Sequence, residues 1–117
     1  MLVVDDEFET RRNLRRSFAE RGAVVEEAEN GALALAALEA GPLPDLVIMD
    51  LVMPKMDGFE TIARIRAEAA WRDLPIIVLS SKDLSREERQ TLGATTDALL
   101  DKNTVALRDV AAVVAGI

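Results

Sequence analysis

Short apolar runs alternate with longer amphipathic stretches along the whole chain. Leu2-Val3-Val4 stops at Asp5-Asp6, and residues 8–21 then read as a helix closed by Gly22. Leu14 and Phe18 share its face and Phe8 leads in, while Glu7 with Arg11 and Arg12 with Arg16 stand at i,i+4 spacing. Ala23-Val24-Val25 predicts a second strand. Asn30 is placed to cap a helix ending near Ala40, with Ala32, Leu35 and Ala36 as its expected core face. Gly41-Pro42 stops it, and Leu46-Val47-Ile48-Met49 follows as a continuous apolar run ending at Asp50. Asp57 and Glu60 have capping-box spacing ahead of Phe59, Ile62 and Ile65. Ile76-Ile77-Val78-Leu79 ends at Ser80. Ser85 and Glu88 repeat the capping spacing for a short helix that Gly93 is expected to close. Ala98-Leu99-Leu100 reads as a weaker fifth strand before Asp101-Lys102. Asn103 or Thr104 is the expected cap of a last helix with a Leu107, Val110, Ala111, Val114 stripe.

Five strand–helix alternations without a long linker predict an α/β fold, a parallel sheet with helices on both faces. At 117 residues the chain fits one domain, residues 1–117. In open parallel sheets ligands bind beyond the carboxyl ends of the strands. The residues ending the runs are therefore the candidates for chemistry: Asp5-Asp6, Asp50, Ser80 and Lys102. Three crowded carboxylates repel, so one takes a proton or a cation arrives. A hard divalent ion with oxygen ligands answers that need, and Ser80 and Lys102 suit a phosphoryl group beside it. Asp50 could then serve as a carboxylate nucleophile. Each residue also has a plain alternative: a helix cap for Asp5-Asp6, a solvated turn for Asp50, a turn hydroxyl for Ser80, a surface lysine for Lys102.

Composition narrows the chemistry further. There is no His and no Cys, which excludes imidazole bases, thiol nucleophiles, haem ligation and cysteine–histidine zinc sites. With no disulfide possible, a cytoplasmic location is the default expectation. A net charge of −7 disfavours direct grip on nucleic acid. No apolar run is long enough to insert in a membrane, and no signal peptide is expected at the N-terminus.

The strings LVVDDE, MDLVMPKMDG and PIIVLSS, with the Lys at 102, resemble the receiver domain of two-component response regulators over essentially the whole chain. The resemblance implies a doubly wound (βα)5, flavodoxin-like sheet in strand order 2-1-3-4-5. It implies that Asp50 accepts a phosphoryl group. Asp5, Asp6 and Asp50 would hold Mg²⁺ (or Mn²⁺), with the backbone carbonyl of Val52 as a further ligand. Ser80 would hydrogen-bond a phosphoryl oxygen and Lys102 would pair with it. The implied partner is a histidine kinase or histidine phosphotransfer domain, on another protein or in the same polypeptide. The implied role is a signalling phosphoacceptor rather than an enzyme. Because the chain lacks His, it cannot be its own phosphohistidine donor. In the family the first helix docks on the donor helix, which makes Thr10, Arg11 and Asn13 the positions to test for partner contact. Otherwise Arg11, Arg12, Arg15 and Arg16 read as a solvated face. Val52 and Lys82 stand where the family tunes hydrolysis. Asp57-Gly58 is read as cap and chain reversal, and Trp71 as packing.

Two departures carry consequences. Many receivers have an aromatic residue three places before the Lys; here it is Leu99, so output is expected to rely on the loop after Ser80 and the 84–92 helix. The family's Lys-Pro is Lys102-Asn103 here, and a cis bond before a non-proline costs about 2.5–4 kcal/mol, so a trans bond is expected. The stretch LPIIVLSSKDLSREERQTLG looks like receivers fused to hybrid histidine kinases, and the chain opens almost inside its first strand, as an excised domain would. Two rivals stand beside the receiver reading. A haloacid-dehalogenase-type phosphatase needs Asp-x-Asp and a cap, whereas this chain has Asp5-Asp6-Glu7. An interaction domain that keeps the fold without phosphorylation is the other. A nucleotide site has no G-x-G-x-x-G or P-loop to support it.

Overall fold

A computed structural model describes residues 1–116. Five strands, β1 (Leu2–Val4), β2 (Glu26–Ala28), β3 (Val47–Met49), β4 (Ile76–Ser80) and β5 (Ala98–Asp101), form one sheet. All pairs are parallel, in the order β2-β1-β3-β4-β5, as the family resemblance implies. Five helices connect and follow them: α1 (Phe8–Ala19), α2 (Gly31–Ala40), α3 (Gly58–Ala67), α4 (Arg86–Thr95) and α5 (Val110–Ala115).

Alternate strand residues face opposite sides. Leu2, Val4, Val47, Met49, Ile76 and Val78 pack with Ala34 and Leu38 of α2, Ile62 and Ile65 of α3, and Leu92 of α4. Val3, Ile48, Ile77 and Leu79 pack on the other side with Leu14 and Phe18 of α1 and Val110 and Ala111 of α5. Burial on both faces explains why the central strands carry unbroken apolar runs.

Several boundaries differ from the sequence expectation. The second strand lies three residues later than the Ala23–Val25 run, and Val24 is 83% exposed. As an edge strand paired only to β1, it tolerates Glu26 and Glu27, which hid it from a search for apolar runs. In α2 the buried residues are Gly31, Ala34 and Leu38; of the expected face Leu35 packs half-buried against the core, whereas Ala32 and Ala36 are exposed. That helix is apolar nearly all round, so periodicity could not choose its buried side. Gly93 does not end α4, which runs on to Thr95, where Thr96 closes it by bonding back to the Leu92 carbonyl. Neither Asn103 nor Thr104 caps α5. Asp101 turns the chain there, accepting from Asn103 N–H, and a short 3₁₀ turn at Leu107–Asp109 precedes α5. The caps Asn30 on Leu33, Asp57 on Glu60, and the Ser85–Glu88 capping box are as expected. Gly41–Pro42 is the one cis peptide among the described residues, so Lys102–Asn103 is trans.

At the amino-terminal edge of the sheet, Arg66 closes three chain ends at once. Its guanidinium donates to the carbonyls of Thr95 at 2.8 Å, Leu74 at 2.7 Å and Arg72 at 3.0 Å. Asp97, 3.6 Å from the same side chain, accepts from Ile76 N–H at 2.8 Å. A lysine reaches only part of this set and leaves carbonyls without partners. We expect Arg66→Lys to lower the unfolding free energy by about 2 kcal/mol in urea titration. A variant within a few tenths of wild type would show that water replaces the guanidinium without loss.

Candidate functional site

The ends of β1, β3, β4 and β5 meet at the carboxyl edge of the sheet. Asp5 follows β1, Asp50 follows β3, Ser80 ends β4, and Lys102 follows β5. Asp5, Asp50 and Ser80 are buried, while Asp6 is exposed. Buried polar groups at these places are held by the backbone of neighbouring strands. Asp5 N–H bonds Ala28 O, Asp50 N–H bonds Val4 O, and Lys102 N–H bonds Ser80 O.

Carboxylate oxygens of Asp5, Asp6 and Asp50 lie within 4.8 Å of one another. Both oxygens of Asp5 are engaged: Oδ1 accepts from Glu7 N–H at 2.9 Å and Oδ2 from Lys102 Nζ at 2.7 Å. Lys102 Nζ also stands 3.7 Å from Asp50 Oδ1, so one cation bridges two buried carboxylates. Leu51 N–H donates to Asp50 Oδ1 at 2.8 Å, and Val52 N–H supports the same carboxylate.

The electrostatics follow from this crowding. Burial and the neighbouring Asp5 charge raise the Asp50 carboxyl from 3.8 to about 6, against the opposing pull of Lys102 and the two amides. Burial pulls Lys102 down, but the Asp5 hydrogen bond and the Asp5, Asp50 and Glu7 charges outweigh it and hold the ammonium above its ordinary value. The residues fit a hard divalent cation: three oxygen donors, two of them buried, with more negative than positive charge.

Ser80 Oγ accepts from Lys82 N–H at 3.2 Å and keeps its own proton for another acceptor. Lys82 Nζ pairs with Glu88, whose carboxylate also closes the cap of α4. Beside Ser80 lies a cavity of about 60 Å³ walled by Lys82, Leu84, Arg89 and Leu99.

Two contributors were not legible as such. Gly58, read only as part of a turn, packs on the end of β3, and a Cβ there would collide with the Asp50 carbonyl and Leu51 Cα. Its N–H bonds Leu51 O at 2.9 Å, so the small residue sets how closely α3 approaches the Asp50 loop. Arg11 is not a solvated residue. Its side chain is 11% exposed, paired with Glu27 and bonded to the Asp5 carbonyl. Arg15 shares Glu27, Arg12 stacks over Phe8, and Arg16 stays exposed. Of the other positions considered for partner contact, Thr10 is buried and Asn13 half-buried. Trp71 packs against the core, as read.

A parallel five-stranded sheet with an acidic pocket, a hydroxyl and a lysine at its carboxyl edge is the arrangement that the sequence resemblance implies. The family model for the response regulator receiver domain matches residues 1–114. Response regulator MprA from Mycobacterium sp. (strain KMS) is 41% identical over 102 residues, which is 87% of this chain and 43% of that protein. The N-terminal domain of a response regulator receiver protein from Methanoculleus marisnigri JR1 superposes with a TM-score of 0.80 at 35% identity, covering 96% of this chain and 90% of that one. Response regulator TrrA from Thermotoga maritima, solved in complex with Mg²⁺–BeF, has a TM-score of 0.82 at 32% identity, covering 98% and 95%. The chain belongs to the response regulator receiver domain family. It spans less than half the length of the curated relatives it matches.

The raised Asp50 carboxyl has a measurable consequence. Folding costs free energy wherever Asp50 is ionised, so its contribution to stability is fully present below pH 3.8 and is lost as pH rises through about 6. Asp50→Asn removes that loss. Without divalent cations at pH 7.5 we expect the variant to be more stable by about 1–2 kcal/mol, with the gap closing towards pH 4. Thermal melts across pH check this, and equal midpoints at pH 7.5 would contradict it.

Proposed function

We propose that this receiver domain accepts a phosphoryl group on Asp50 from a phosphohistidine and changes its surface in response. The carrying observation is the placement of Asp50: buried, beside two further carboxylates, and 3.7 Å from Lys102 Nζ. In the transfer, an Asp50 carboxylate oxygen bonds to phosphorus and the P–N bond of the donor breaks. The imidazole leaves with the electron pair. Asp5, Asp6, Asp50 and the Val52 carbonyl would hold Mg²⁺, or Mn²⁺ in its place, which when bound offsets the charge of the carboxylates and the phosphoryl oxygens. Lys102 lies within reach to pair with a phosphoryl oxygen, and the free proton of Ser80 is available to donate to one. The Mg²⁺–BeF complex of TrrA supports this reading, because beryllofluoride is a stand-in for a phosphoryl group.

The donor is a histidine kinase or a histidine phosphotransfer domain, on another protein or in the same polypeptide, and the setting is the cytoplasm. The domain turns over no separate substrate; it catalyses its own phosphorylation and dephosphorylation. It does not contact nucleic acid directly. No helix among the described residues is long and apolar enough to cross a membrane.

Leu99 is half-buried at the position for which the family resemblance implies an aromatic ring. The output is therefore carried by the Ser80 loop and α4, whose amino-terminal cap is tied to Lys82 through Glu88. The cavity beside Ser80 gives that loop room to move.

Incubation with acetyl phosphate and Mg²⁺ should add one phosphoryl group to the wild-type chain and none to Asp50→Asn, read by intact mass. An unmodified wild-type chain, with no effect of Mg²⁺, would sink the proposal. Sustained turnover of a generic phosphate ester would instead favour the phosphatase rival. With Mg²⁺ and beryllofluoride, amide resonances of residues 81–92 should shift more than those of α2; spectra of that helix left unchanged would remove α4 as the output element.

A further inference from the structure

The β1–α1 loop, which carries Asp5 and Asp6, is clamped from β2 by two separate bonds. Main chain supplies the first: Asp5 N–H donates to Ala28 O at 3.1 Å. Side chains supply the second: Arg11 Nη1 donates to the Asp5 carbonyl at 2.7 Å, while Arg11 Nε donates to Glu27 Oε1 at 3.2 Å. Glu27 is itself held from its other oxygen by Arg15 Nη1 at 2.8 Å. Arg11 and Glu27 are both largely shielded, with side-chain exposures of 11% and 15%. The carbonyl that Arg11 holds belongs to the Asp5–Asp6 peptide. Its plane sets where the Asp6 side chain points, and the Asp6 carboxylate has no hydrogen bond of its own among the described residues, unlike those of Asp5 and Asp50.

We propose that Arg11 is a positioning residue for the divalent-cation site, orienting the Asp5–Asp6 peptide through its fork while Glu27 fixes the guanidinium. The inference rests on the cation-site reading above. Outer groups that orient ligands commonly change metal affinity by 10–100-fold. The sign separates this role from simple charge. A guanidinium beside an acidic pocket repels a cation, so removing it by Coulomb's law alone tightens Mg²⁺ binding. Removing an orienting bond weakens it. Arg11→Lys retains the charge but lacks the planar fork that serves two acceptors at once.

Isothermal titration of the chain with MgCl₂ tests this. Arg11→Gln and Arg11→Lys should each bind Mg²⁺ roughly 10-fold more weakly than wild type. Arg66→Lys, which loosens the opposite edge of the sheet, should bind as wild type does and so reports whether general softening is enough. Arg11 variants with unchanged or tighter binding overturn the inference and leave the cation site standing. An equal loss in Arg66→Lys overturns it too. No Mg²⁺ binding by wild type overturns the cation-site reading, and the inference with it. If Arg11→Gln fails to fold by circular dichroism, Arg11→Lys decides.

Discussion

Two buried carboxylates and a third exposed one meet at the same edge of one sheet, with Lys102 the one ammonium among them. This electrostatic conflict shapes the rest of the molecule. Burial and the Asp5 charge both disfavour ionised Asp50, and Lys102 offsets that only in part. Such a group would neutralise or drift apart on a soft scaffold. It persists here because each member is attached to a strand end that cannot move alone. Asp5, Asp50 and Lys102 each donate a backbone N–H to the neighbouring strand, and the central strands β1, β3 and β4 are packed on both faces.

The scaffold has different rigidity at its two edges. At the amino-terminal edge, the Arg66 guanidinium gathers carbonyls from the end of α4, the turn after α3 and the lead into β4. At the carboxyl edge, the start of α4 is held by its capping box and an exposed Lys82–Glu88 pair, beside a small cavity. Exposed ion pairs contribute little, typically well under 1 kcal/mol. The helix is thus anchored at its far end and lightly held next to Ser80. That asymmetry suits an element whose near end shifts while its far end stays in place.

Much of this was legible in sequence because two-sided burial writes itself as apolar runs. Val47-Ile48-Met49 and Ile76-Ile77-Val78-Leu79 read as strands for that reason, and the residue ending each run identified the site edge. The starts of α2, α3 and α4 were equally legible, since Asn30, Asp57 and Ser85 cap through short side chains at fixed spacing, whereas α5 has no side-chain cap to announce it. The edge strand β2 was misplaced because one-sided pairing leaves it free to carry glutamates. Of the expected face of α2 only Leu35 reaches the core, because an almost uniformly apolar helix has no periodic contrast.

Sequence alone determined the α/β alternation and nominated the candidate site: Asp5, Asp6, Asp50, Ser80 and Lys102 are polar residues at or just past strand ends. Composition alone placed any phosphohistidine donor outside this chain. Tertiary structure decided what each charge does. It pairs Lys102 with Asp5 more closely than with Asp50, and turns Gly58 from a turn residue into the spacer behind Asp50. It also draws Arg11 off the surface onto Glu27 and the Asp5 carbonyl. The physical reason is range. Caps and hydrophobic period act within a few residues, whereas Coulomb energy and desolvation depend on distances between groups up to 97 residues apart in the chain.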